Sequence, residues 1–278
     1  MVGTAPTTQF LAVDGGRIAY DDTRGDGPLV VCLPGMGDNR FTYRFLAPVL
    51  AERGYRVVTA DLRGAGESDA TFADYSTTAV AADLRALVRH LDAGSAVVVA
   101  NSYSAGAAVI AAADEASAFA GLVLTGPFVR DPKKQGAVTR LAIAVVGRFP
   151  RAWTAFWGTL FASARPDDFA AARARLLGQL REPGRMAALR AMAAGGHGAS
   201  ERRLGELAAG GPPVRIVMGG KDPDFKPDPR AEADWIAERT DGDVVMVEGS
   251  GHYPAAENPR ATADAVLPFL AGVAGAAQ

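Results

Sequence analysis

The chain has 278 residues, of which 49% are hydrophobic and 22% are charged, and it carries a formal net charge of −2. This near balance, with a pI of about 6.0, excludes the strongly basic surface that binds nucleic acid or an anionic membrane. The one cysteine, Cys32, excludes an intrachain disulfide and a cysteine metal cluster.

The amino-terminal stretch "MVGTAPTTQF" lacks the basic region and apolar run of a secretory leader. Nowhere do about 18 apolar residues follow one another, as a membrane span would need. We therefore predict a cytoplasmic protein without a membrane span, and nothing in the sequence predicts its oligomeric state.

Short apolar runs alternate with helix-like segments through the first half of the chain. A hairpin is predicted over "FLAVDGGRIAYDD", with its turn at Asp14–Gly16. Predicted strands follow at Pro28–Gly35, Tyr55–Gly64, Ser95–Asn101 and Gly121–Gly126, and predicted helices at Tyr43–Arg53, Thr78–Leu91 and Ser104–Ala113. The strands are nearly continuous Val, Leu and Ile, which is typical of parallel strands covered on both faces. The pattern predicts a doubly wound, mostly parallel α/β sheet.

This alternation stops after Gly126. Residues 128–211, which we call the insertion, are helical in character, with one ambiguous strand candidate at Ala142–Val146. The insertion is rich in large aromatic residues: Phe149, Trp153, Phe156, Trp157, Phe161 and Phe169. The strand pattern returns at Pro212–Gly220 and Asp243–Gly249, each followed by a helical pattern. We predict an α/β core formed by residues 1–127 and 212–278, interrupted by a helical cap at 128–211.

Two serines lie between a predicted strand and a predicted helix in "VVVANSYSAGAAV". This is the context of a nucleophile elbow, a strained turn that needs small neighbours, and both Ser102 and Ser104 satisfy the size requirement. The apolar run ends at Ala100, so choosing Ser104 would carry polar Asn101 into a buried strand. With Ser102 at the tip, the Ser104 hydroxyl could cap free N–H groups of the helix. The sequence favours Ser102, and the alternative is that both serines are caps without chemistry.

A nucleophilic serine needs a base, and the chain has three histidines. His90 lies near the end of a helix pattern and His197 in a loop of the insertion. His252 directly follows the last strand candidate, at the edge where open α/β sheets hold their ligands. "VMGGKDPDF" offers Asp222 and Asp224 as the carboxylate that would orient the histidine. We favour Asp222, because it comes first after the strand, and regard Asp224 as a loop or helix-start residue.

An oxyanion hole needs two backbone N–H groups. One would come from Tyr103, directly after the nucleophile, and the other from Met36 in the loop "LPGMGDNR". The same loop imitates a dinucleotide-binding fingerprint, but Arg40 stands where the third glycine would be. A Rossmann dehydrogenase is therefore disfavoured.

Five motifs in this order resemble the α/β-hydrolase family, in its group of single-domain esterases, lipases and perhydrolases with a lid. They are "LPGMGD", "DLRGAGESD", "ANSYSAG", "GGKDPDF" and "GSGHYP". The resemblance covers nearly the whole chain and implies that 128–211 is the cap between the sixth and seventh core strands. Pro34 replaces the family's usual histidine, and Ala100 and Ser104 replace both glycines of the elbow. Serine at the tip argues against haloalkane dehalogenases and epoxide hydrolases, which carry aspartate there.

The sequence thus predicts a serine hydrolase that cleaves an ester, thioester or lactone of a small apolar substrate, with Ser102, His252 and Asp222 as its triad. Such chemistry needs no metal and no cofactor. The alternatives are acyl transfer, perhydrolysis or carbon–carbon hydrolysis by the same triad, or a ligand-binding homologue whose triad is idle.

Substrate contacts are expected from Gly35 and Phe128 and from the aromatic residues of the insertion. Trp153, Phe156, Trp157 and Phe161 have spacings that place them on one broad helix face. That face either docks the cap on the core or forms the roof of an apolar pocket. In the second case Trp153 and Trp157 contact the substrate.

Overall fold

The computed structural model of the chain describes residues 7–131, 145–162 and 165–276. Within these ranges the chain forms an eight-stranded sheet in the order β1-β2-β4-β3-β5-β6-β7-β8. The strands are β1 (Gln9–Val13), β2 (Gly16–Asp22), β3 (Leu29–Leu33), β4 (Arg56–Ala60), β5 (Ala96–Asn101), β6 (Phe119–Thr125), β7 (Val214–Gly219) and β8 (Asp243–Val247). The strand pairs β4–β3, β3–β5, β5–β6, β6–β7 and β7–β8 are parallel, whereas β1–β2 and β2–β4 are antiparallel.

The order of the strands reverses at β3, which lies between β4 and β5. The connection after β3 runs to β4 on one side, and the connection after β5 runs to β6 on the other side. The loops after β3 and β5 therefore diverge and open a crevice at the carboxyl ends of these strands. Both strands are buried along their whole length, as their continuous apolar sequences predict. The fold therefore places the loop after Leu33 and the turn after Asn101 side by side.

Helices cover both faces of the sheet. They are α1 (Leu46–Glu52), α2 (Thr77–Leu91), α3 (Ser104–Asp114), α4 (Pro150–Thr159), α5 (Phe169–Leu180), α6 (Arg185–Ala194), α7 (Gly198–Glu201), α8 (Leu204–Ala208), α9 (Pro229–Thr240), α10 (Pro254–Glu257) and α11 (Pro259–Ala276). Helices α1 and α11 pack on one face of the sheet, and α2, α3 and α9 pack on the other. This two-sided cover confirms the doubly wound architecture.

The described part of the insertion carries α4 to α8 between β6 and β7. Its aromatic residues form a separate apolar cluster with α5 and α6, to which Tyr253 and Ala256 also belong. The strand candidate Ala142–Val146 lies mostly outside the described residues, and Val145 and Val146 are helical. The division into a core and a cap stays a prediction.

The largest differences from the predicted bounds lie at one helix and one strand. The helix predicted over Tyr43–Arg53 begins at Leu46, because Arg40–Tyr43 forms a 3₁₀ turn capped by Asn39. The strand predicted to reach Gly64 ends at Ala60, where the buried Asp61 leaves the sheet. Its carboxylate accepts backbone N–H bonds from Arg40 at 2.7 Å and from Glu67 at 2.9 Å. No helix of the described residues combines the length and apolar character that a membrane crossing requires.

Candidate active site

The turn between β5 and α3 has the strained backbone of a nucleophile elbow. Ser102 has a φ of +58°, which is unfavourable for any residue with a Cβ. Hydrogen bonds hold this conformation: Ser102 donates its N–H to the carbonyl of Thr125 at 2.9 Å, and its own carbonyl accepts from Ala105 and Phe128. Ser102 retains 9% exposure and stands at the amino end of α3, where the helix dipole favours negative charge.

Ser104 occupies a different environment. It is the first residue of α3 and is fully buried. Its Oγ lies 3.0 Å from the carbonyl oxygen of Leu33 and 2.9 Å from that of Asn101. The expectation that this hydroxyl serves free helical N–H groups is wrong, because its partners are carbonyls. It instead ties the elbow to the end of β3.

The histidine and the first aspartate form a buried pair. His252 Nδ1 and Asp222 Oδ2 are 2.8 Å apart, and the two side chains are 2% and 0% exposed. Asp222 directly follows the turn after β7, and its other oxygen accepts the N–H of Asp224 at 3.0 Å. The Asp224 carboxylate instead lies 3.8 Å from His252 Nε2 and is 25% exposed. The two aspartates therefore face different nitrogens of the ring.

Burial and charge act in opposite directions on His252. Burial, the largest single effect, acts to lower the pKa of the imidazole, whereas the negative charge of Asp222 and its hydrogen bond act to raise it. With smaller contributions from Asp224 and Glu257, they raise the pKa of His252 to about 9. Burial raises the pKa of Asp224 above the usual range, although the positive ring of His252 acts to lower it. The site therefore stabilises an imidazolium.

The elbow and the histidine loop are joined by an amide that sequence reasoning missed. Asn101 Nδ2 lies 3.1 Å from the carbonyl oxygen of His252 and 3.0 Å from that of Thr125. Among the described residues, no hydrogen bond joins Ser102 Oγ to the His252 ring. Catalytic hydrogen bonds of this kind are often long before substrate binds. The only sequence signal for Asn101 was a polar residue at the end of an otherwise apolar strand.

The loop after β3 lies directly against the elbow. A Cβ added at Gly35 would come within 2.9 Å of Ser102 Cβ and 3.4 Å of its Oγ, so only glycine fits there. Met36 follows, and the loop closes with a bond from the Asp38 N–H to the Gly35 carbonyl at 3.3 Å. Tyr103 lies at the start of α3, where backbone N–H groups have no intrahelical partner. Met36 and Tyr103 thus flank Ser102 on two elements.

Aromatic rings line the side of the site near His252. Phe128 has its ring centroid 5.9 Å from that of His252, 4.9 Å from that of Phe225 and 5.8 Å from that of His197. His197, which the sequence placed in a loop without a role, is stacked on Phe128, and burial lowers its pKa to about 4. A neutral His197 therefore adds to a largely apolar wall.

The two tryptophans predicted to contact substrate pack against the loops that carry Met36 and His252. Trp157 packs against Phe161 and Phe169 and has its ring centroid 6.0 Å from that of Tyr253, the residue after His252. Trp153 donates its indole N–H to the carbonyl of Gly37 at 2.8 Å. Both side chains are about 5% exposed or less.

A metal-like grouping exists at this site. Asp222, Asp224 and His252 each offer a ligand atom, all within 4.8 Å of one another. However, Asp222 Oδ2 and His252 Nδ1 are already hydrogen-bonded to each other. The geometry therefore favours a hydrogen-bonded aspartate–histidine pair over a metal site, and it leaves Nε2 as the ring nitrogen that Asp222 does not occupy.

Comparisons with known proteins agree with this architecture. A protein of Mycobacterium tuberculosis (strain ATCC 25618 / H37Rv), described as uncharacterized, is 38% identical to this chain over 104 residues. The matched segment is 37% of this chain and 30% of the length of that relative. A solved alpha/beta hydrolase fold protein from Burkholderia ambifaria has 26% identity and a TM-score of 0.79, with 94% of this chain and 97% of that chain covered.

A putative epoxide hydrolase from Pseudomonas aeruginosa has 22% identity and a TM-score of 0.80, with 98% of each chain covered, which shows a common fold. The sequence profile of the alpha/beta hydrolase family matches residues 30–265, which is most of the chain. The chain therefore belongs to the alpha/beta hydrolase family.

Proposed function

We propose that this protein is a serine hydrolase that cleaves an ester, thioester or lactone of a small apolar substrate. The observation that carries the proposal is the strained Ser102 at the amino end of α3, on the same sheet edge as a buried His252–Asp222 pair. A strained nucleophile beside an oriented base is the arrangement that acyl transfer through a covalent intermediate requires.

In the proposed mechanism, His252 Nε2 removes the proton from Ser102 Oγ as the oxygen attacks the substrate carbonyl. The N–H groups of Met36 and Tyr103 stabilise the oxyanion, each contributing about 3 kcal/mol to barrier reduction. The imidazolium then gives its proton to the leaving alcohol or thiol, which leaves an ester on Ser102. Water activated by His252 hydrolyses that ester and restores the serine.

The surroundings of the serine support an apolar acyl group. Phe128 and Phe225 have their ring centroids 5.9 and 6.3 Å from that of His252, and His197 behind Phe128 is neutral. A charged acyl group would lose hydration against these rings without gaining a partner. The residue types therefore support aliphatic or aromatic acyl groups over charged ones.

Epoxide opening is a second candidate because one fold neighbour is described as a putative epoxide hydrolase. Attack by a serine oxygen on an epoxide carbon would leave an ether, which water cannot hydrolyse under mild conditions. A carboxylate nucleophile avoids this, because it leaves an ester. Ser102 at the tip of the elbow therefore supports carbonyl substrates.

The test combines a substrate panel with a covalent probe. The purified protein is assayed on p-nitrophenyl esters of rising chain length, acyl thioesters, lactones and epoxides, while a fluorophosphonate probe is located by mass spectrometry. We expect turnover of the carbonyl substrates and labelling at Ser102. An unlabelled Ser102 with no ester turnover would indicate an idle triad, and acyl transfer to added alcohol or peroxide would indicate the transferase alternative.

A further inference from the structure

Helix α4 of the insertion is hydrogen-bonded to the loop that carries the proposed oxyanion donor Met36. Trp153, in the first half of α4, donates its indole N–H to the carbonyl of Gly37 at 2.8 Å. The indole also fills the space beside Gly37, where an added Cβ would come within 2.5 Å of the ring. Gly37 has a φ of +66°, a left-handed conformation that favours glycine. The bond from the Trp153 indole fixes the direction of the Gly37 carbonyl in this conformation.

The carboxyl end of the same helix is bonded to the loop that carries His252. The carbonyl of Leu160, directly after α4, accepts the backbone N–H of His252 at 3.0 Å. Two residues later, the N–H of Ala162 donates to the Glu257 carboxylate at 3.1 Å. The insertion is thus bonded to the backbone of the catalytic histidine itself.

Glu257 gathers the histidine loop around that contact. Its carboxylate accepts the N–H of Gly251 at 3.0 Å and the N–H of Tyr253 at 3.2 Å, on both sides of His252. Charge-assisted bonds of this kind are about twice as strong as neutral ones. One carboxylate therefore fixes the path of the histidine loop and joins it to the end of α4.

We propose that α4 with residues 160–162, which we call the bridging helix, sets the separation between the oxyanion loop and the histidine loop. Trp153 and Glu257 act as its positioning residues, and the inference rests on the function proposed above. Trp153 and Leu160 are seven residues apart, a span of about 10 Å along a helix. A rigid element of that length can hold two loops on opposite sides of one reacting carbonyl.

The bonds of the bridging helix differ from those that dock the insertion elsewhere. Arg44 on the core pairs with Asp168 at the start of α5, with a 2.6 Å bond from Nε. Among the described residues, neither of these side chains is hydrogen-bonded to the loop of Met36 or to that of His252. Loss of the Arg44–Asp168 pair should reduce stability alone. Loss of a bridging bond should also misplace the reacting groups, and a displacement of about 1 Å can reduce turnover by about 100-fold.

The test uses Trp153→Phe, which keeps a ring but removes the N–H, and Glu257→Gln, which keeps the size but removes the charge. Trp235→Phe and Asp168→Asn are the matched controls. On a p-nitrophenyl ester, we expect kcat to fall by about 10- to 100-fold in the two bridging variants, with KM changed by less than about threefold. The controls should keep the kcat of the unmodified protein.

Two further readouts separate positioning from stability. Glu257→Gln should move the midpoint of the kcat/KM profile to lower pH, because the Glu257 carboxylate helps to raise the pKa of His252. Ala162→Pro, which removes the donor N–H on the insertion side and also restricts φ at that position, should lower kcat, whereas Ala162→Ser, which keeps the N–H, should not. Combined, Trp153→Phe and Glu257→Gln should lower kcat by less than the product of their single effects, because one element carries both.

The outcomes that overturn each proposal are distinct. Turnover that survives in Ser102→Ala overturns the proposed function and the bridging helix with it. If Ser102→Ala abolishes turnover but Trp153→Phe and Glu257→Gln leave kcat unchanged, the proposed function stands and only the proposal of the bridging helix is overturned. A lower melting temperature with an unchanged kcat would show that these bonds serve only stability.

Discussion

At the scale of single residues, the two serines of the elbow differ in backbone and in partners. Ser102 has a positive φ and an exposed edge, whereas Ser104 is fully buried between the carbonyls of Leu33 and Asn101. We expect Ser102→Ala to remove nearly all ester turnover. Ser104→Ala should keep most of it and lose about 1 kcal/mol of stability with the hydroxyl bond. Steady-state rates and melting temperatures measure both. Loss of turnover only in Ser104→Ala would reverse the assignment.

The two aspartates near His252 should also separate. Asp222 contacts Nδ1, so Asp222→Asn removes the acceptor that holds the tautomer, and kcat should fall by about 10⁴-fold. Asp224 faces Nε2 at 3.8 Å without a hydrogen bond to it, so Asp224→Asn should cost far less. Single-turnover rates on one ester compare the two variants. A larger loss in Asp224→Asn would assign the orienting role to the second aspartate.

The raised pKa of His252 sets the direction of the pH dependence. Only the neutral ring accepts the serine proton, and the neutral fraction grows as pH rises toward the folded pKa of about 9. We therefore expect kcat/KM to rise from pH 6, to pass its midpoint near pH 9 and to level off only above that pH. Asp224→Asn should move this midpoint to lower pH, because its carboxylate also raises the pKa of His252. A flat profile between pH 5 and 8 would contradict a histidine base.

At the scale of elements, the aromatic face of α4 packs within the insertion and against the loops that carry Met36 and His252. Trp153 and Trp157 are buried, Phe156 is partly buried, and Phe161 lies beyond the end of the helix at Thr159. Trp157 stacks on Phe169 with ring centroids 5.3 Å apart. This packing favours docking over a pocket roof for Trp157, whereas the half-buried Phe128 lies beside His252.

A pair of variants tests this division of roles. Trp157→Ala should cost about 3–5 kcal/mol of stability and keep the ranking of acyl chain lengths. Phe128→Ala should change that ranking, because the Phe128 ring lies against His252 and its backbone N–H donates to the carbonyl of Ser102. The ranking is measured as kcat/KM across p-nitrophenyl esters, and stability by thermal unfolding. A changed ranking in Trp157→Ala would restore the pocket roof.

At the scale of the whole molecule, the insertion and the sheet share one set of contacts. The apolar cluster of the insertion includes Tyr253 and Ala256 from the segment after β8. Asn39 on the core donates to Gln179 on α5 at 2.8 Å. These contacts predict that the insertion unfolds together with the core rather than as an independent unit.

Tryptophan fluorescence can test this coupling. In Trp235→Phe, the remaining tryptophans, Trp153 and Trp157, both report on the insertion. We expect their fluorescence and the far-ultraviolet circular dichroism to change at the same denaturant concentration, because the contacts above join the two parts. An earlier fluorescence transition would indicate a separately folding cap and would support the division at residues 128 and 211.

Much of the fold follows from local sequence. Continuous runs of Val, Leu and Ile predicted β3, β5 and β6, because strands covered on both faces need apolar residues at every position. The predicted helix bounds around α2 and α3 are correct to within a residue. Errors arose at α1 and β4, where Asn39 and Asp61 accept backbone bonds from nearby loop residues.

The sequence by itself determined the order of motifs and the residue types of the site, because strand ends, turns and small residues around Ser102 and His252 are local signals. Only the tertiary structure decided which groups meet. Asn101 reaches the carbonyl of His252 across 151 positions, and Glu257 reaches the backbone of Ala162 across 95. Such contacts produce no repeating pattern in the sequence, because each one depends on where the packed helices and strands place a single donor and a single acceptor.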